Sequence, residues 1–232
     1  MAKVNVTTFE KDGEFPAYLA EPAGDPRGAI VVIQEIFGIN EGIRRKCDHW
    51  AQLGYLAAAP NLFWRFAKGV ELDPDVPEEF QQALKLMGQL DQDQAVKDIE
   101  ATIRYLRRQM PESYKVGVVG YCLGGRLAFM CAARTDADAS VGYYGVGLDG
   151  LLGEANAIGK PLMLHIPEED HFVPKEAQAK IHEGLDGNPH VSLHDYPGED
   201  HGFAAEMGNR RSEESARLAD ERTERFFAEN IG

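Results

Sequence analysis

The sequence predicts an α/β protein in which a mostly parallel sheet carries helices on both faces and has a short antiparallel edge at its N-terminal end. Three observations predict it. Apolar runs such as Ala29–Ile33 are continuous rather than alternating, as a strand covered on both sides requires. They take turns along the chain with stretches whose apolar residues recur at helical spacing. Only the first twenty residues alternate apolar with polar, the pattern of strands with one wet face.

In chain order, Val4, Val6 and Thr8, then Phe15, Ala17 and Leu19, flank Asp12-Gly13 and predict two short strands joined by a tight turn. The strand Ala29–Ile33 ends in a loop over residues 34–40. Ile43, Cys47, Trp50 and Ala51 then fall on one helical face, with Asn40 as N-cap and Gly54 at the far end. Residues 55–59 form a strand that Pro60 stops. Val96, Ile99, Ile103 and Leu106 mark one face of a long helix, and residues 115–119 the next strand. Further strands are expected at residues 140–144, 161–166 and Val191–Tyr196, with helices at Lys175–Leu185 and residues 212–227. Alternation of this kind implies right-handed crossovers. Residues 65–91 depart from the rhythm: Pro74 and Pro77 precede Phe80, Ala83, Leu84 and Met87 at helical spacing, which predicts an insertion or lid.

The 232 residues, 44% hydrophobic and 27% charged, fit one globular domain, residues 1–232, because no Ser/Gly-rich linker, repeat or low-complexity tract divides them. Thirty-eight acidic against 24 basic residues give a formal charge of −14, which excludes nucleic acid and anionic membrane as natural partners. The first fifteen residues lack the apolar stretch of a signal peptide, and nothing approaches the roughly 20 apolar residues of a membrane helix, so a cytoplasmic location is expected. Cys47, Cys122 and Cys131 have no CxxC spacing, which argues against a disulfide framework or a zinc knuckle. Their environment is expected to be reducing, and the protein a monomer rather than an oligomer.

The strongest local signal is Gly120-Tyr121-Cys122-Leu123-Gly124-Gly125, which directly follows an apolar strand and opens an apolar helix over residues 127–133. It has the form of a nucleophile elbow with cysteine in the serine place. Glycines two residues before and after the nucleophile matter because a side chain there would strike the neighbouring strand and helix. A helix N-terminus also favours negative charge on sulfur. Free cysteines are often merely buried, and glycine-rich strand-to-helix turns also bind phosphate, but no GxGxxG or GK[ST] pattern accompanies this one.

A thiol nucleophile needs a base, and elbow enzymes supply an acid and then a histidine after later strands. Asp170 follows the strand at residues 161–166, and His201 follows Val191–Tyr196, both at carboxyl ends where open parallel sheets place their ligands. Glu168, Glu169 and Asp200 are competing acids. Among the histidines, His49, His165, His182, His190 and His194 fall in or beside helices and strands, and His171 adjoins the acid that would have to orient it. Cys47 and Cys131 lie on apolar helical faces and receive no role. The oxyanion of an acyl transfer would be held by the backbone N–H groups of Leu123 and of Ile36, each worth on the order of 3 kcal/mol. No His/Cys/carboxylate cluster has metal-ligand spacing, and such a triad requires neither cofactor nor metal.

The stretches QEIFG, APNLFWR, VGVVGYCLGG, VGYYGVGL, EDHFVP and EDHGF, spread over nearly the whole chain, resemble the dienelactone hydrolase (carboxymethylenebutenolidase) family. The resemblance implies an α/β-hydrolase fold and a small ester or lactone as substrate, cleaved through a cysteinyl thioester by Cys122, His201 and Asp170. It adds Glu35, whose counterpart hydrogen-bonds the resting thiol and swings away when substrate arrives, and it places Phe37 beside the substrate. It also exposes departures. The two arginines that grip the substrate carboxylate in the family fall on Phe80 and Ala205, and two aromatic pocket residues fall on Leu84 and Met87. A helix over residues 78–89 would then present an apolar wall, leaving Arg65, Lys68 and Arg126 as the remaining anion partners and pointing to a less anionic substrate than dienelactone. A general short-chain carboxylesterase is the alternative enzyme, and a non-catalytic binding protein for a hydrophobic ligand the alternative of another class.

Overall fold

Val, Ile and Ala dominate the central strands because both faces of the sheet are covered, and every residue of Ala29–Ile33 and of Val116–Tyr121 is buried. The computed structural model describes residues 2–232. Eight strands, β1 (Ala2–Thr7), β2 (Glu14–Ala20), β3 (Ala29–Ile33), β4 (Leu56–Pro60), β5 (Val116–Tyr121), β6 (Ala139–Tyr143), β7 (Leu162–Pro167) and β8 (Val191–Tyr196), form one sheet in the order β1-β2-β4-β3-β5-β6-β7-β8. Strands β4, β3, β5, β6, β7 and β8 pair in parallel, while β2 is antiparallel to both β1 and β4. The expected antiparallel edge and parallel body are both present.

The helices are α1 (Glu41–Gln52), α2 (Pro77–Met87), α3 (Gln92–Arg108), α4 (Leu123–Arg134), α5 (Lys175–Leu185) and α6 (Glu213–Asn230). Asn40 caps α1, its side chain accepting from the Ile43 N–H, and Gly54 follows the helix at φ +92°. On one face, α1 and α6 meet through the rings of Trp50 and Phe227, whose centroids are 5.3 Å apart. On the other, Phe129 of α4 and Ile181 and Leu185 of α5 pack against Leu162, Leu164 and Ile166 of β7. Burying each such side chain contributes roughly 1.5–3 kcal/mol, so the two layers are held mainly by apolar contact. A 3-10 segment, Leu148–Ala157, was not expected from the sequence: its glycines and mixed polarity give no clean helical stripe. Among the described residues no helix is long and apolar enough to cross a membrane.

Helix α2 shows why residues 65–91 broke the rhythm. Ala83 and Leu86 are buried toward the core, whereas Phe80, Leu84 and Met87 form a second, half-buried row. A helix with two apolar rows has something to face on each side. The segment before it is tied down by the bridge Gly38–Glu71, by Leu72 N–H donating to the Phe37 carbonyl at 2.9 Å, and by the Asn40 amide donating to the Leu72 carbonyl at 3.1 Å.

Candidate active site

Cys122 occupies the single residue between β5 and α4, at φ +57° and ψ −114°. A non-glycine residue held at positive φ stores roughly 1–3 kcal/mol of backbone strain, which the surroundings must enforce. They do so from both sides: Cys122 N–H donates to the Tyr143 carbonyl at 3.0 Å, and Arg126 N–H donates to the Cys122 carbonyl at 3.1 Å. Three glycines make the turn possible. A Cβ on Gly124 would lie 2.5 Å from the Ile33 carbonyl, and one on Gly120 or Gly125 would collide with the Gly124 or Tyr143 carbonyl.

His201 lies in the loop after β8 and Asp170 in the loop after β7, so two parallel strand ends bring them together. Asp170 Oδ2 accepts from His201 Nδ1 at 2.9 Å, and Oδ1 accepts from the Phe172 N–H at 2.8 Å. Both side chains are buried. Nδ1 therefore carries the proton toward Asp170, leaving Nε2 pointed away from it and without a hydrogen-bond partner. Burial alone would lower the His201 pKa. The negative charge of Cys122 and the Asp170 hydrogen bond outweigh it, pushing the imidazole up to about 10. Cys47 and Cys131, with no such partner, are fully buried and their thiols are pushed up by burial.

The rival residues have other occupations. His171 is exposed and pairs with Asp200 at 2.8 Å, not with Asp170. His165 is buried between the Tyr196 hydroxyl at 2.7 Å and the Thr223 hydroxyl at 2.9 Å, and burial holds it well below its ordinary pKa, so it is neutral. Asp170, His171 and Asp200 bring ligand atoms within 4.8 Å of one another, but His201 and the Phe172 N–H already engage Asp170 and His171 engages Asp200.

Cys122 and His201 open onto a cavity of about 170 Å³. Ile36 and Phe37 form one side of it, Phe80, Leu84 and Met87 of α2 another, and Val146, Phe172 and Arg210 complete it. Four of the five sequence-predicted substrate contacts thus line the same cavity as Cys122. Ala205 is the exception: it is buried but does not line the cavity, because its N–H turns back to the Gly202 carbonyl at 2.9 Å. Among the described residues, neither the Ile36 nor the Leu123 N–H donates to another protein group.

A second expectation also needs correcting. The cavity is not without a cation, for Arg210 enters it from the loop after His201. Its guanidinium lies over the Phe37 ring, 5.5 Å from the centroid, and Nη2 is 3.5 Å from Glu35 Oε1. Burial lowers its pKa, but Glu35, Tyr144, Cys122 and Asp75 together outweigh burial, so it stays charged. Arg65, Lys68 and Arg126 are not the anion partners. Arg65 is paired with Asp98, Lys68 is exposed and does not line the cavity, and Arg126 donates to Gln92 and to the Val146 and Gly147 carbonyls.

Glu35 is buried and faces Arg210, and among the described residues no hydrogen bond joins it to Cys122, unlike the resting arrangement the resemblance implied. The Tyr144 hydroxyl is buried in the same cluster. Its pKa is driven well above the ordinary phenol value, first by burial and then by Glu35, and its backbone is at φ +39°. Among the described residues seven buried side-chain nitrogen or oxygen atoms lack a hydrogen-bond partner, and five of them belong to this cluster: Tyr144 Oη, His201 Nε2, Arg210 Nε, and the ion-paired Glu35 Oε1 and Arg210 Nη2. Buried polar groups are normally satisfied, so this concentration marks a place prepared for another molecule.

The family model described as "Dienelactone hydrolase family" matches residues 15–231. The chain belongs to the dienelactone hydrolase family. Carboxymethylenebutenolidase 1 of Cupriavidus pinatubonensis is 40% identical over 221 residues, covering 95% of this chain and 94% of its own. A candidate carboxymethylenebutenolidase of Azospirillum brasilense is 48% identical over 223 residues, covering 95% and 96%. The crystal structure of a candidate dienelactone hydrolase from Klebsiella pneumoniae superposes with a TM-score of 0.83 at 28% identity, covering 98% of this chain and 99% of that one. This dienelactone hydrolase family member is accordingly a hydrolase with the α/β-hydrolase fold, as expected from its sequence.

Four site residues escaped the sequence. Phe172 and Tyr144 stand inside the stretches EDHFVP and VGYYGVGL, so the signal was present but not specific to a role. Val146 stands in the second stretch as well, and Arg210 alone carried no signal. Arg210 is followed by Arg211, and nothing in the sequence distinguishes the guanidinium that enters the cavity from the one that does not.

Proposed function

We propose that this protein hydrolyses a small ester or lactone bearing one carboxylate on an otherwise apolar body, through a thioester on Cys122. The observation that carries the proposal is the buried His201 Nε2, fixed by Asp170, unpartnered, and on the same cavity wall as the sulfur. A raised imidazole pKa keeps the ring protonated at neutral pH, and an imidazolium stabilises negative charge on a neighbouring sulfur. The thiolate attacks the carbonyl carbon, and the oxygen that takes up the electron pair is held by the Ile36 and Leu123 N–H groups. Collapse expels the alkoxide or enolate, which takes the proton from His201 Nε2. Water then attacks the thioester, gives its proton to the same nitrogen, and releases the acid and the cysteine. Asp170 keeps the ring oriented throughout.

Arg210 supports an anionic group on the substrate, and Phe37, Phe80, Leu84 and Met87 support the apolar remainder. Glu35 balances the Arg210 charge and yields it to the substrate carboxylate. The test compares an aryl ester with its carboxylate-bearing analogue in wild type and Cys122→Ala. The variant should fall to background hydrolysis on both; activity near that of the wild type would remove the thioester mechanism.

A further inference from the structure

Arg210 reaches the cavity from a loop that has no regular structure of its own, so something outside the site must aim it. The loop, residues 202–212, is pinned by a cluster of charges on its far side. Lys46 of α1 is only 5% exposed, and its ammonium lies 3.1 Å from Glu206 and 3.3 Å from Asp220 of α6. Arg211 joins the same two carboxylates, at 3.0 Å from Glu206 and 3.7 Å from Asp220, and reaches back to the Ala204 carbonyl at 3.4 Å. Ser212 N–H closes the loop on the Phe203 carbonyl at 2.8 Å. Two cations and two anions thus alternate beneath the loop, and burial of Glu206 is outweighed by Lys46 and Arg211, which hold its pKa below the ordinary value.

On the cavity side, Gly202 leaves room for the arginine: at φ +82°, a Cβ there would lie 2.7 Å from Arg210 Nη1. With Arg211 drawn toward α1 and α6, its neighbour Arg210 is directed the opposite way, into the cavity.

We infer that Lys46, Glu206, Asp220 and Arg211 form a positioning cluster that aims Arg210 at the carboxylate of the substrate, so that recognition is governed from helices outside the pocket. The inference rests on the proposed carboxylate role of Arg210. None of the four lines the cavity, so they act through Arg210 rather than on substrate. Removing one buried charge leaves its partner uncompensated, whereas removing both ends of a pair is milder. The informative variant is therefore Lys46→Met combined with Glu206→Gln; Glu206→Gln alone, which leaves Lys46 its Asp220 partner at 3.3 Å, is the fallback.

The measurement is steady-state kinetics on an aryl ester and its carboxylate-bearing analogue. Arg210→Met is the reference, and should raise KM for the carboxylate ester roughly tenfold, the equivalent of one charge-assisted hydrogen bond. The double variant should raise the same KM several-fold while kcat/KM for the neutral ester stays within about twofold, and it should add nothing further in the Arg210→Met background. Equal losses on both esters, no loss on either, or full additivity with Arg210→Met would each overturn the positioning role. An unchanged KM in Arg210→Met itself would instead remove the carboxylate role, and the inference with it. If the double variant does not fold, Glu206→Gln alone carries the same expectations.

Discussion

The two walls of the cavity are made differently. Cys122, Asp170 and His201 stand at the carboxyl ends of β5, β7 and β8, where parallel pairing fixes the backbone within the sheet. Facing them, Phe80, Leu84 and Met87 ride on one helix of the insertion, and Arg210 on an irregular loop pinned by charges. In the proposed mechanism the wall that performs chemistry is bound to the sheet, and the wall that selects substrate hangs on elements attached to it. On that proposal, the reaction type is set by topology and the substrate by side-chain packing.

The largest expected effect lies on the chemical wall. Asp170→Asn keeps the shape but spoils the tautomer and orientation of His201, and kcat should fall roughly 10³-fold with little change in KM. A comparable fall in binding with kcat preserved would break the division between walls. Next comes Gly202→Ala, which meets both the positive φ and the guanidinium of Arg210. It should raise KM for a carboxylate ester by roughly an order of magnitude and leave turnover of a neutral ester within a few-fold. Phe80→Ala sharpens the comparison from the apolar side. Its ring is 5.8 Å from Phe37, and its loss should raise KM for a neutral aryl ester by roughly three- to tenfold, with kcat unchanged.

The smallest effect is on stability. His201 rises from 6.5 in the unfolded chain to about 10 in the fold, so between those values the folded state keeps a proton that the unfolded state has released. The contribution is complete below pH 6.5 and disappears as pH rises toward 10. Because the Cys122 charge is the strongest influence raising that pKa, Tm should decline less between pH 7 and 9.5 in Cys122→Ala than in the wild type, by roughly a few degrees. Parallel declines would show that the two side chains are not electrostatically coupled.

The same division decides how much could be read from the sequence. The strand–elbow–helix unit was legible because Gly120, Gly124 and Gly125 mark a turn that only bare backbone can make, and the order of Cys122, Asp170 and His201 follows from strand ends. The apolar row of α2 was legible from periodicity, and three of its residues do line the cavity onto which Cys122 opens. Ala205 and Arg210 were not. Family positions carried the expectation of a missing cation, but the loop supplies one five residues later, from a place where Arg210 and Arg211 look alike in sequence. What separates them is the buried cluster of Lys46, Glu206 and Asp220, assembled from α1, the loop and α6, and no local pattern reveals a contact between residues 174 positions apart.

The central claim is that Cys122 becomes acylated. Rapid quenching of the wild type during turnover of an aryl ester, followed by mass spectrometry of the peptide that carries Cys122, tests it most directly. The account predicts one acyl mass on that sulfur, removable by hydroxylamine, and none on Cys47 or Cys131. Sustained turnover with Cys122 unmodified, and undiminished after the thiol is alkylated, would contradict it.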